Sequence, residues 1–130
     1  MTGRLETMEP NPVWDGAAYE DTVATLSAFD DCTFKVWGGD WCKDCRAQLP
    51  DFGAALAAAG VPDEQIEHYP VEKDDDGSKV GPKVEAYDVE LIPTVVVERD
   101  GDELARFVEE ADVPIAAFLA RQLDDIEVEA

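Results

Sequence analysis

The hydrophobic period of this chain changes at a double glycine. Phe34, Val36 and Trp37 form a short apolar run ending in Gly38-Gly39. A few residues later Leu49, Phe52 and Leu56 recur at helical spacing, and Gly60 closes that stripe. A strand that feeds directly into a helix is one unit of a layered α/β structure, because each element has one apolar side to bury. Tyr19, Val23, Leu26 and Phe29 predict a helix before the strand. A further strand is expected over 66–71, then a polar turn at Asp74-Asp75-Asp76-Gly77 and a short helix over 78–87. The β-branched run 94–98 and the run 103–108 flank Asp100-Gly101, a hairpin signal. A last helix begins near Asp112, a good N-cap, with Pro114 in its first turn. Its buried stripe is Ile115, Phe118, Leu119 and Leu123. The order predicts an α/β fold with a central mixed sheet flanked by helices on both faces. The 130 residues suit one domain, 13–130, after a loose polar lead-in over 1–12 in which 5–8 is a weak strand signal.

Charge restricts the partners. Asp and Glu number 31 against 10 Lys and Arg, a net charge of -21. Such a surface repels nucleic-acid phosphates and anionic lipid heads, so neither nucleic acid nor membrane is an expected partner. The acidic residues are spread along the chain rather than gathered in a tail, and 45% of residues are hydrophobic, enough for a core. At about 1 M salt the Debye length falls to about 3 Å, and self-repulsion is largely screened. The balance therefore points to a halophilic source. The N-terminus carries no apolar leader and no stretch has membrane-span length, so a cytoplasmic location is expected. In a reducing compartment structural disulfides are rare, and a Cys-x-x-Cys pair needs another explanation.

That pair lies in Trp41-Cys42-Lys43-Asp44-Cys45. Thiol–disulfide exchange needs one thiolate to attack and a second thiol to release the mixed disulfide. At a helix start, Cys42 meets unpaired backbone N–H groups and the positive end of the helix dipole, both of which stabilise a thiolate. Cys45, three residues on, shares its helical face and is expected to be the less exposed. Half of a zinc site is the competing reading, but only Cys32 and His68 remain as further ligands. A five-residue strand separates Cys32 from the pair by about 16 Å, so no metal site is expected and Cys32 reads as an unpaired thiol. His68 falls inside a strand and reads as structural. Trp41 is either an apolar anchor or a substrate contact.

Ile92-Pro93-Thr94 adds a second signal. With a strand entering the Trp-Cys-Lys-Asp-Cys centre, Pro50 five residues after the second cysteine, and the Asp100-Gly101 hairpin, the chain resembles the thioredoxin family over about residues 30–123. The resemblance implies a thioredoxin-like fold and a cis bond before Pro93, facing the cysteines across the sheet edge. It implies that the backbone of Ile92 pairs with an extended substrate segment. Pro50 would kink the helix; the alternative is that the helix starts after it.

Several positions depart from the family pattern. Lys43-Asp44 replaces Gly-Pro between the cysteines; Lys43 lowers the thiolate pKa and Asp44 raises it. Val36 stands where thioredoxins carry a buried carboxylate, leaving Asp44 or Asp40 as proton-relay candidates. Gly38 stands where a second tryptophan is common, with Trp37 beside it. The function implied is reduction of protein or small-molecule disulfides, with a redox-active Cys42–Cys45 disulfide and no bound cofactor. The partners implied are disulfide-containing proteins and a thioredoxin-reductase-like electron donor. This chain has no Gly-rich dinucleotide fingerprint, so a nicotinamide would belong to that donor. A redox-switched binding module and a thiol-dependent peroxide reductase remain alternatives. A monomer is expected.

Overall fold

The computed structural model describes residues 8, 11–14, 19–29, 31–39, 43–73, 79–81, 84–89, 91–108 and 113–129. The protein is α/β, with a four-stranded mixed sheet, a two-stranded sheet and three α-helices among the described residues. Helix α1 spans Glu20–Ala28, strand β1 Thr33–Gly38, and helix α2 Lys43–Ala58. Strand β2 covers Ile66–Pro70, and the short strands β3 and β4 cover Glu72–Lys73 and Lys79–Val80. The hairpin strands β5 and β6 are Thr94–Arg99 and Asp102–Val108, followed by helix α3, Ile115–Glu129.

The sheet order is β2-β1-β5-β6. Strand β1 runs parallel to β2, to which α2 is the crossover, and antiparallel to β5. The hairpin turns at Asp100-Gly101, both with positive φ (54° and 85°). That is the requirement of the two-residue turn whose twist matches the strands, and Asp-Gly meets it cheaply.

Strand alternation sorts the sheet residues into two faces. One carries the cross-strand row His68–Val36–Val95–Phe107. Phe107 meets Phe118 of α3 edge to face at 5.4 Å, which places α3 on this side. Helices α1 and α2 contact α3 and each other. Leu26, Phe34, Val36, Leu49, Phe52, Leu56, Phe107, Ile115, Leu119 and Leu123 are fully buried and form the core. At about 25 cal/mol per Å² of apolar surface, burial of such side chains is the main stabilising contribution.

The opposite face carries the rows Glu67–Lys35–Val96–Arg106 and Tyr69–Trp37–Thr94–Val108. The helix expected over 78–87 does not form there. Lys79–Val80 is a strand paired with Glu72–Lys73, and 84–88 are turns. Three of those residues (Glu85, Ala86 and Asp88) have little to bury; the segment is held instead by Tyr87, whose ring packs on Trp37 at 5.0 Å. The polar turn expected at 74–77 lies outside the described residues.

The lead-in is tied to α2 at its described positions. Met8 is buried, and its carbonyl lies so close to Gly53 that a Cβ there would collide with it. Asn11 donates its N–H to the Pro50 carbonyl at 3.0 Å and its side-chain amide to Asp51 at 2.7 Å. Helix α2 runs through Pro50, so the reading that the helix begins after this proline is corrected.

Lys35 is the least expected member of the interior. It is 6% exposed, with Nζ 2.9 Å from Glu67 Oε1 and 3.7 Å from Glu98 Oε1. It also donates to Tyr69 Oη at 3.3 Å and lies 5.6 Å from the ring centroids of both Tyr69 and Tyr87. Burial alone would lower its pKa, but the hydrogen bonds to Glu67 and Tyr69 outweigh it and hold the value above that of a free lysine. Burial and the bond to Glu67 raise the Tyr69 pKa; the bond to Glu98, then burial, raise that of Tyr87. All three groups retain their protons more firmly in the folded state. Their stabilisation is complete below the unfolded values, about 10 for tyrosine and 10.4 for lysine, and is lost as pH rises toward the folded ones. The melting temperature is therefore expected to decline above about pH 10, and the decline should be shallower in Lys35→Met. Parallel alkaline limbs in the two proteins would count against this network as its source.

Candidate functional site

Strand β1 ends at Gly38, and Gly39 follows without regular structure before α2 begins at Lys43. Trp41, Cys42 and Asp40 lie outside the described residues, as does the side chain of Asp44. Lys43 is exposed at the start of α2. Cys45, in the first turn of that helix, is fully buried. The Gly39 N–H donates to Cys45 Sγ at 3.4 Å.

The sheet register brings the second sequence signal to the same end. Trp37 pairs with Thr94 in the antiparallel β1–β5 ladder, so Pro93 precedes β5 where β1 is about to end in Gly38-Gly39. The Ile92–Pro93 bond is cis, the geometry the resemblance implies at this position. Ile92 and Pro93 are buried, while Leu91 is 42% exposed. Thr94 Oγ1 donates to the Leu91 carbonyl at 2.6 Å and closes the segment around the proline. Cys45 and Ile92-Pro93 thus lie at the same end of the sheet, where the parallel strands β1 and β2 also end. In open α/β sheets that end is the usual binding position.

Val36 is fully buried on the helix-covered face, in an apolar row with Val95 and Phe107. His68 stands beside it in register and is half-buried. Trp37 points to the other face and is fully buried, stacked on Tyr69 at 4.8 Å and tilted against Tyr87 at 5.0 Å. Its side chain is therefore a floor for the 84–89 segment. The sequence signals Trp37 as part of an apolar strand but not this role, because Tyr69 and Tyr87, which it packs on, are distant in sequence.

Cys32 lies at the far end of β1 and is buried. Gln65 Nε2 donates to its carbonyl at 2.8 Å, and burial pushes its thiol pKa up. Among the described residues there is no group of three or more His, Cys, Asp or Glu side chains that could hold a metal ion. No helix among them is long and apolar enough to cross a membrane.

The protein is thus an α/β protein with a buried cysteine in the first turn of α2 and a cis-proline at the start of β5. The chain's sequence matches no protein-family profile and no curated protein.

Proposed function

We propose that this protein is a thiol–disulfide oxidoreductase of thioredoxin-like fold that reduces protein or small-molecule disulfides through Cys42 and Cys45. The observation that carries the reading is Cys45: a fully buried sulfur in the first turn of α2 that accepts the Gly39 N–H. A buried thiol with a dedicated donor suits a resolving group, which reacts only after a partner is covalently attached nearby. The β1–α2–β2 crossover followed by an antiparallel hairpin and helix α3 supports the thioredoxin-like topology.

In the proposed cycle the Cys42 thiolate attacks a substrate disulfide, forming one S–S bond and expelling one substrate thiolate. Cys45 then loses its proton and attacks the Cys42 sulfur. The second substrate thiolate leaves, and two electrons have passed from the dithiol to the substrate. An electron donor of the thioredoxin-reductase kind restores the dithiol. In this reading Ile92 offers backbone hydrogen bonds to an extended substrate chain, and Trp41 and Pro93 are further substrate contacts. On the same reading Lys43 favours the Cys42 thiolate, and Asp44 or Asp40 takes the proton that Cys45 gives up. The test is dithiothreitol-driven reduction of insulin in molar salt. Wild type should turn over and Cys42→Ser should not; equal rates would overturn the reading.

A further inference from the structure

The segment that leads into Ile92-Pro93 is held down by one arginine. Arg106 lies in β6, paired with Val96 of β5. Glu103 grips its guanidinium through two bonds, Nε to Oε2 at 3.0 Å and Nη2 to Oε1 at 2.9 Å. That grip fixes the planar fork and aims Nη1 at the Tyr87 carbonyl, to which it donates at 2.8 Å. Tyr87 is also fixed by its hydroxyl, which donates to Glu98 Oε2 at 2.6 Å, and by its ring on Trp37. Backbone, hydroxyl and ring are thus anchored to β6, β5 and β1 respectively.

The anchoring carries forward along the chain. The turn closes on itself through the Val89 N–H to the Val84 carbonyl at 2.8 Å, with Asp88 in the left-handed region (φ 54°). Val89 is buried, and two residues beyond it Leu91 receives the Thr94 hydroxyl. Ile92 therefore lies between two fixed points, the Tyr87 turn and the start of β5. A free chain of this length samples many backbone states, and an edge that must accept hydrogen bonds in register works only when those states are already removed.

We infer that Arg106 is a positioning residue: its clasp on the Tyr87 carbonyl holds the Ile92 backbone ready for extended polypeptide substrates. The inference rests on the function proposed above and sharpens it. It assigns recognition of substrates with an extended chain to this clasp, and leaves small disulfides independent of it. A small disulfide has no chain to pair with Ile92.

The test compares wild type, Arg106→Met and Arg106→Lys on insulin and on lipoamide. Arg106→Met removes the bond to the Tyr87 carbonyl together with both bonds to Glu103, and KM for insulin is expected to rise roughly tenfold with kcat little changed. Lipoamide kinetics should stay within about twofold, and Arg106→Lys should fall between the other two. Equal losses on both substrates, or an unchanged KM for insulin, would overturn the inference. Amide hydrogen exchange supplies a readout independent of thiol chemistry. The Val89, Leu91 and Ile92 amides should exchange about tenfold faster in Arg106→Met, while core amides of β1 stay as they were. Unchanged exchange at those three positions overturns the clasp outright. A wild type inert toward both disulfides would instead remove the functional reading, and the exchange data would still decide whether Arg106 fixes this segment.

Discussion

Replacing Cys45 by serine is expected to stop insulin turnover while leaving substrate bound to the protein through Cys42. The physical reason is the difference between an intramolecular and an intermolecular attack. Well-oriented neighbouring groups reach effective molarities on the order of 10⁵ M or more, which no external thiol approaches. A loss of at least about 10³-fold in turnover is therefore expected once the second step depends on added dithiol. The serine hydroxyl fits the space of the buried thiol and can accept the Gly39 N–H, so the fold should survive. The variant should run as a covalent adduct on a non-reducing gel, and dithiothreitol should release it. Full activity in Cys45→Ser would show that a single thiol suffices. A folded variant that forms no adduct would argue against Cys42 as the attacking group.

The second large effect concerns salt. With a net charge of -21 on 130 residues, the compact state concentrates like charges that the unfolded chain spreads out. Raising the salt from about 0.05 M to several molar shortens the screening length to about 3 Å or less and removes most of that repulsion. The melting temperature is expected to rise by about 10 °C or more across that range. The inner charges should respond little, because Lys35 is enclosed with Glu67, Glu98 and two tyrosine rings. Potassium chloride and sodium chloride should act alike at equal ionic strength if screening is the cause. A melting temperature unmoved by salt would remove the case for a halophilic origin.

The backbone plan was legible where a local signal and a global requirement coincide. The Gly38-Gly39 junction marks the end of β1 and the approach to α2, because the apolar period changes there. Asp100-Gly101 marks the hairpin because both positions take positive φ. Of the expected stripe Ile115, Phe118, Leu119 and Leu123, Phe118 is half-buried and the other three are fully buried in α3. Cys45, expected to be the less exposed of the two thiols, is fully buried, and Cys42 lies outside the described residues.

Lys35 was not legible. A lysine in a strand reads as a solvent-facing position, and nothing nearby in sequence offsets its burial. Its partners arrive from β2, β5 and the 84–88 turns, so the network exists only after the sheet has formed. The 84–88 turns were misread as helix for a related reason. Their conformation depends on Trp37, Glu98 and Arg106, each distant in sequence, rather than on an apolar stripe of their own.

Helix α3 contributes one more contact whose consequence reaches beyond packing. Gln122 accepts the Arg106 N–H through Oε1 at 3.0 Å and donates Nε2 to the Arg106 carbonyl at 3.2 Å. Its carboxamide thus meets the outer edge of β6 as a neighbouring strand would, with one acceptor and one donor in register. An exposed sheet border invites any passing extended polypeptide to add itself, including another molecule of the same kind. With Gln122 in place, an incoming strand at that border would first have to displace a partner of equal hydrogen-bonding capacity. At Arg106 the outer border of the sheet is therefore already occupied, which disfavours edge-to-edge association there.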